Sequence, residues 1–287
     1  MNPTPISVAL AAVPHRLEFV DAGPWRTRVL RAGSGPALLL LHGTGGHLEA
    51  YAHNIGPLAE QFSVVALDFA GHGYTNHATE ALEIPAYIDQ LVRLMDELGI
   101  GSAHLNGESL GGWVAAKFAA AHPDRVGRLV LNTPGGTMAR PEVMERIREL
   151  SQAAADDPSH ERIRARLEWL MADPATVTEE LIEVRRTIYS RPGFADSMRN
   201  ILCLQDPEVR RRNLITDEEL AAVPHGATVV WTSDDPSGPA SAGMVMADKI
   251  VGGRFEFIAD AGHWPQWEQA QKFNELVLTH LTSIHES

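Results

Sequence analysis

The chain has 287 residues, 44% of them hydrophobic and 21% charged, so it is long enough to bury a full core and has the composition of neither a disordered chain nor a fibrous repeat. With 37 acidic against 24 basic residues the formal charge is -13, which opposes nucleic-acid phosphates and anionic membrane surfaces, and neither is expected as a partner. The single cysteine, Cys203, excludes an internal disulfide or a multi-cysteine metal site, and none of the 13 histidines forms a His-Glu-x-x-His motif, so no metal or organic cofactor is implied.

Met1 to Pro14 lacks the basic start of a signal peptide, and its prolines are expected to break up any helix. No apolar run reaches the ~18 residues of a membrane span, and a cytoplasmic protein is expected. His15 to Val20 and Trp25 to Leu30 alternate in polarity and predict an antiparallel hairpin. Ala37 to Leu41, Ser63 to Leu67, Ala103 to Asn106 and Arg128 to Leu131 are continuous apolar runs, as in strands covered on both faces. Helical patterns over 82–98 and 109–121 separate them, and together they predict strand-helix repeats around a mostly parallel sheet. After Pro134-Gly135-Gly136, charged amphipathic segments from about Pro141 to Leu214 predict a helical lid, far longer than the roughly 2 to 6 residues of an ordinary connection. Strands return at Ala227 to Trp231 and Phe255 to Ile258, and one last helix is expected from about Pro265 to Ile284. The expected division is a core of 1–136 and 215–287 with a lid of 137–214.

Gly107-Glu108-Ser109-Leu110-Gly111 lies between a predicted strand and a helix, the context a Gly-x-Ser-x-Gly nucleophile elbow requires, and Ser109 is the candidate nucleophile. His42-Gly43-Thr44-Gly45-Gly46 follows another strand. The Thr44 and Leu110 amides are the expected oxyanion donors, Gly43 and Gly45 are expected to line the substrate, and His42 is expected to shape the loop. Asp68 in Asp68-Phe69-Ala70-Gly71-His72-Gly73 reads as turn scaffold. Past the strand at Trp231, Asp235 is favoured over Asp234 as the acid. His263 on the loop after the last strand completes the chain order Ser, Asp, His and is the candidate base. In the lid, Thr176-Val177-Thr178-Glu179 predicts a capping box opening a helix. On that helix Arg185 falls near the centre of the face of Leu181, Val184, Ile188 and Tyr189, with Arg186 toward its edge. A guanidinium aimed into a cavity needs an anion, while a scaffold salt bridge or a snorkelling side chain stays an open alternative.

Taken together these residues place the chain in the α/β-hydrolase fold, with an N-terminal antiparallel hairpin and an inserted helical lid. Within it, Gly262-His263-Trp264-Pro265-Gln266-Trp267-Glu268 with Phe273-Asn274 resembles the histidine segment of the meta-cleavage product hydrolases, carbon-carbon bond hydrolases of bacterial aromatic catabolism. The resemblance implies a 2-hydroxy-6-oxohexa-2,4-dienoate-type substrate, an anionic small molecule. Its carboxylate would meet Arg185, Trp264 would flank it, and the products would be 2-hydroxypenta-2,4-dienoate and a carboxylic acid. A homodimer or higher homo-oligomer stays open. This chain departs from the family where Glu108 stands in place of Asn and Gly45-Gly46-His47 in place of a Gly-Pro-Gly loop. Glu108 is expected to be an ordinary elbow residue pointing away from the substrate. A carboxylesterase or lactonase on the same scaffold is the main alternative. A non-catalytic ligand receptor is a weaker one, because it has no use for Ser109, Asp235 and His263 in order.

Overall fold

A computed structural model describes residues 4–224 and 226–283. Eight strands form one sheet: β1 (His15–Ala22), β2 (Trp25–Ala32), β3 (Ala37–Leu41), β4 (Ser63–Leu67), β5 (Ala103–Glu108), β6 (Val126–Asn132), β7 (Ala227–Thr232) and β8 (Arg254–Ile258). Their spatial order is β1-β2-β4-β3-β5-β6-β7-β8. The β1-β2 and β2-β4 pairs are antiparallel, and every later pair is parallel.

The apolar runs separate by alternation. Leu39, Leu41, Val65, Leu67, Leu129, Leu131, Val229 and Trp231 face one core, and Leu38, Leu40, Val64, Ala66, Val130 and Val230 face another. This is the two-residue period of a strand applied to a sheet buried on both faces. The first core contains residues of α3 (Ile84–Glu97), α4 (Leu110–Ala121) and α11 (Ala240–Lys249). The second contains residues of α2 (Ala52–Ala59) and α13 (Ala270–Thr282). α4 is apolar on nearly every side and buried accordingly. It seats against β3 through Gly111, where a Cβ would lie 2.1 Å from the Leu41 carbonyl oxygen.

Between β6 and β7 no strand occurs among the described residues. The helices there are α5 (Pro141–Asp156), α6 (His160–Glu168), α7 (Glu179–Tyr189), α8 (Phe194–Ile201), α9 (Pro207–Asn213) and α10 (Asp217–Ala221). The apolar faces of α5 to α8 share a third core with Trp264 and Trp267, so the lid is packed onto the loop that carries His263, while Val209 of α9 and Leu220 of α10 join the first core. Trp267 Nε1 donates to the Thr176 carbonyl (2.9 Å), and the His263 amide donates to the Leu170 carbonyl (2.6 Å).

Three local expectations are corrected. The N-terminal segment does form a helix, α1 (Ile6–Ala11); Pro5 precedes it, and the Glu180 carboxylate of α7 accepts from the Ile6 and Ser7 amides at 2.5 and 2.9 Å. The cap of α7 is Thr178, whose hydroxyl accepts from the Leu181 amide, because Thr176 is spent in a turn closed by Asp173. The last helix is two pieces, α12 (Pro265–Glu268) and α13, broken at Gln269 where the backbone leaves helical angles (φ -125°, ψ 44°). The short piece holds Trp267 against the lid while the long one lies on the sheet, and the expected end at Ile284 falls outside the described residues. Cys203 is half-buried, with its Sγ 3.3 Å from the Leu82 carbonyl oxygen. Among the described residues no helix is long and apolar enough to cross a membrane.

Candidate active site

Ser109 stands between β5 and α4 with φ 53° and ψ -110°, a conformation that side-chain-bearing residues avoid. The turn holds it there: its amide donates to the Asn132 carbonyl (3.0 Å), and its carbonyl accepts from the Gly135 amide (2.9 Å). Leu110 begins α4, so its N–H is one of the amides for which a helix supplies no partner. Gly43, Thr44, Ser109, Leu110, His263 and Trp264 line one cleft beneath the lid.

The ends of two strands, β6 and β7, position His263. Thr133 Oγ1, just past β6, donates to the His263 carbonyl (3.0 Å), and Thr232 Oγ1, at the end of β7, donates to the Gly262 carbonyl (2.7 Å). Asp235, on the loop after β7, meets the ring: its Oδ1 lies 2.9 Å from His263 Nδ1 and also accepts from the Ser237 amide (2.8 Å). Asp234 is turned to Ser233 instead. Burial works against the charged imidazole, but Asp235 and then Glu108 outweigh it and raise the His263 pKa.

Glu108 overturns its expectation. Its side chain is 1% exposed, lines the cleft and brings Oε1 to 3.3 Å from His263 Nε2, while Oε2 is buried without a hydrogen-bond partner among the described residues. Burial pushes its pKa up to about 7, with His263, the Gly43 amide and Arg166 opposing. Glu108, the residue before Ser109, therefore stands beside the imidazole nitrogen through which His263 would act on the serine.

Arg185 is fully buried on α7, its guanidinium 5.4 Å from the Trp264 ring and 5.8 Å from that of Tyr189. All three guanidinium nitrogens lack a partner among the described residues, whereas Arg186 pairs with Glu183 at the surface. Trp264 lines the cleft and Arg185 lies behind it. Gly45 is also withdrawn from the cleft, with its carbonyl accepting from Tyr189 Oη (2.8 Å). His42 and Asp68 shape their loops. His42 Nε2 accepts from the Phe69 amide (3.0 Å), and Asp68 takes the Leu48 and Tyr74 amides and Arg28.

Sequence reasoning missed Arg166 of α6, a buried residue lining the same cleft. The signal was available: Ile163, Arg166, Leu167 and Leu170 follow helical spacing, placing Arg166 on an apolar face as Arg185 is.

A strained serine at a strand-helix turn, set on a mostly parallel sheet beside a His-Asp pair, defines a hydrolase of the α/β class. The α/β hydrolase fold family matches residues 36–270. The chain is 32% identical over 258 residues to 2-hydroxy-6-oxo-6-phenylhexa-2,4-dienoate hydrolase of Comamonas testosteroni, covering 87% of this chain and 89% of that one. It is also 32% identical over 267 residues to 2-hydroxymuconate semialdehyde hydrolase of Pseudomonas sp. (strain CF600), covering 91% of each. Among solved structures, a mutant meta-cleavage product hydrolase (CumD) from Pseudomonas fluorescens IP01, complexed with acetates, superposes with a TM-score of 0.80 at 27% identity over 94% of this chain and 98% of that one. The chain belongs to the meta-cleavage product hydrolases, the carbon-carbon bond hydrolase family within the α/β-hydrolase superfamily.

Proposed function

We propose that this protein hydrolyses the bond between carbons 5 and 6 of a 2-hydroxy-6-oxohexa-2,4-dienoate-type ring-fission product in the cytoplasm. Family membership supports the reaction, and one observation carries the substrate class: the fully buried Arg185, unpartnered and set against Trp264 at the cleft. In a low-dielectric site such a cation calls for an anion, and a dienoate carboxylate supplies it.

In this reading Arg185 takes the carboxylate and favours the form with a ketone at carbon 2, leaving carbon 5 open to a proton. His263, oriented by Asp235 at Nδ1, withdraws a proton at Ser109 and promotes attack on the carbon-6 carbonyl. The Thr44 and Leu110 amides hold the oxyanion, and each such donor typically contributes ~3 kcal/mol. When the bond breaks, its electron pair passes through the conjugated chain to the oxygen on carbon 2, which is then protonated. The hydroxyl of water ends on carbon 6. The products are 2-hydroxypenta-2,4-dienoate and a carboxylic acid, and no step calls for a metal or an organic cofactor.

The test is a spectrophotometric panel of coloured dienoates beside p-nitrophenyl esters. Faster clearance of dienoates is expected. Ser109→Ala is expected to keep the wild-type melting temperature and lose on the order of a thousandfold or more in turnover. Hydrolysis of esters alone would move the protein to the esterase or lactonase reading.

A further inference from the structure

Arg166 is 3% exposed and lines the cleft that holds Ser109 and His263. Its Nε donates to Ser151 Oγ (2.9 Å), and its guanidinium lies 5.4 Å from the Trp169 ring. Among the described residues its Nη1 is buried with no hydrogen-bond partner and the side chain makes no salt bridge. The other cleft arginines are committed. Arg140 pairs with Glu142, and Arg210 donates to the Met138 and Leu204 carbonyls.

The charges around the site do not balance. Among the described residues neither Arg166 nor Arg185 makes a salt bridge, and the two buried carboxyls of the site, Asp235 and Glu108, both face the His263 ring, at 2.9 and 3.3 Å. Burial first, then the like charge of Arg185, pushes the Arg166 pKa down to about 10, so it is still a cation near neutrality. A helix strut would have been served as well by an apolar side chain; two neighbouring buried cations, one lining the cleft and one behind Trp264, call for negative charge.

We propose that Arg166 is a second anion-binding residue of the cleft, and that the substrate is held at two anionic centres, one by Arg185 and one by Arg166. The inference rests on the dienoate reading for the first centre. The second centre has two chemical sources: a carboxylate on the carbon-6 substituent, or the carbon-2 oxygen as it takes up the electron pair of the broken bond.

Wild type, Arg166→Gln and Arg166→Lys are compared on a dienoate with methyl at carbon 6 and one with carboxyethyl there. Glutarate and butyrate binding is measured by calorimetry as a readout independent of turnover. If the source is a substituent carboxylate, Arg166→Gln raises KM at least tenfold more for the carboxyethyl than for the methyl substrate and abolishes any preference for glutarate. If it is the carbon-2 oxygen, kcat falls at least tenfold on both substrates and the bound dienolate absorbance disappears in a Ser109→Ala background. In either case Arg166→Lys recovers part of the loss. Wild-type kinetics and ligand affinities in Arg166→Gln, with only a lower melting temperature, would overturn the proposal and leave Arg166 as a strut of α6. If wild type clears no dienoate the carbon-carbon reading fails, and the calorimetry then decides Arg166: lost glutarate preference supports it and no preference in wild type overturns it.

Discussion

Replacing Arg185 should separate carbon-carbon hydrolysis from ester cleavage and also reveal the cost of keeping an unpaired cation inside the lid. The guanidinium is fully buried between Trp264 and Tyr189, and among the described residues its three nitrogens have no partners; on the proposed reading a substrate carboxylate that reaches past Trp264 takes two of them at once. A hydrogen bond to a charged group contributes about 1.5 to 3 kcal/mol net, so losing two costs at least ~3 kcal/mol. At ~1.4 kcal/mol per decade, Arg185→Gln should lower kcat/KM on a dienoate by more than about a hundredfold. The same variant should cleave neutral p-nitrophenyl acetate within about threefold of wild type. Stability should move the other way. Exchanging a buried ion for an apolar group of similar volume is often stabilising by ~1 to 4 kcal/mol, so ligand-free Arg185→Met is expected to melt higher than wild type. Stopped-flow loss of dienoate absorbance, the ester assay and differential scanning calorimetry measure the three quantities. Equal losses on both substrates, or a lower melting temperature in Arg185→Met, would show that the guanidinium supports the lid and would refute the reasoning.

Glu108→Gln removes a carboxylate 3.3 Å from His263 Nε2, one of the two that raise the imidazole pKa. A general base must be neutral, so the acidic limb of the kcat/KM profile should move to lower pH; an unmoved or upward-shifted limb would contradict the pairing. Gly111→Ala drives a Cβ to within 2.1 Å of the Leu41 carbonyl oxygen, between two elements that cannot shift without moving Ser109. Overpacking of this kind costs ~3 kcal/mol, and a melting temperature within a degree of wild type would show that α4 seats on β3 by other means.

How much of this was legible in the chain follows from which interactions are local. The runs Leu38 to Leu41 and Val64 to Leu67 announce strands buried on both faces, because burial acts residue by residue along a strand with a two-residue period. The elbow around Ser109 is equally local: glycines let helix and strand approach closely, and the positive φ follows from the turn. Arg185 could be placed on an apolar helix face from its spacing alone. Which way Glu108 turns depends on His263, 155 positions later in the chain, and on the Gly43 loop, neither of which the pentapeptide specifies. The break at Gln269 arises because Trp267 must reach the lid while α13 lies on the sheet, and the N-terminal helix forms because Glu180 from the lid meets its first amides. The gathering of Arg166 and Arg185 in the same interior was likewise decided by the packing of α6 and α7 over the strand ends. Periodicity reports which face of an element is buried, and only tertiary packing decides what that face meets.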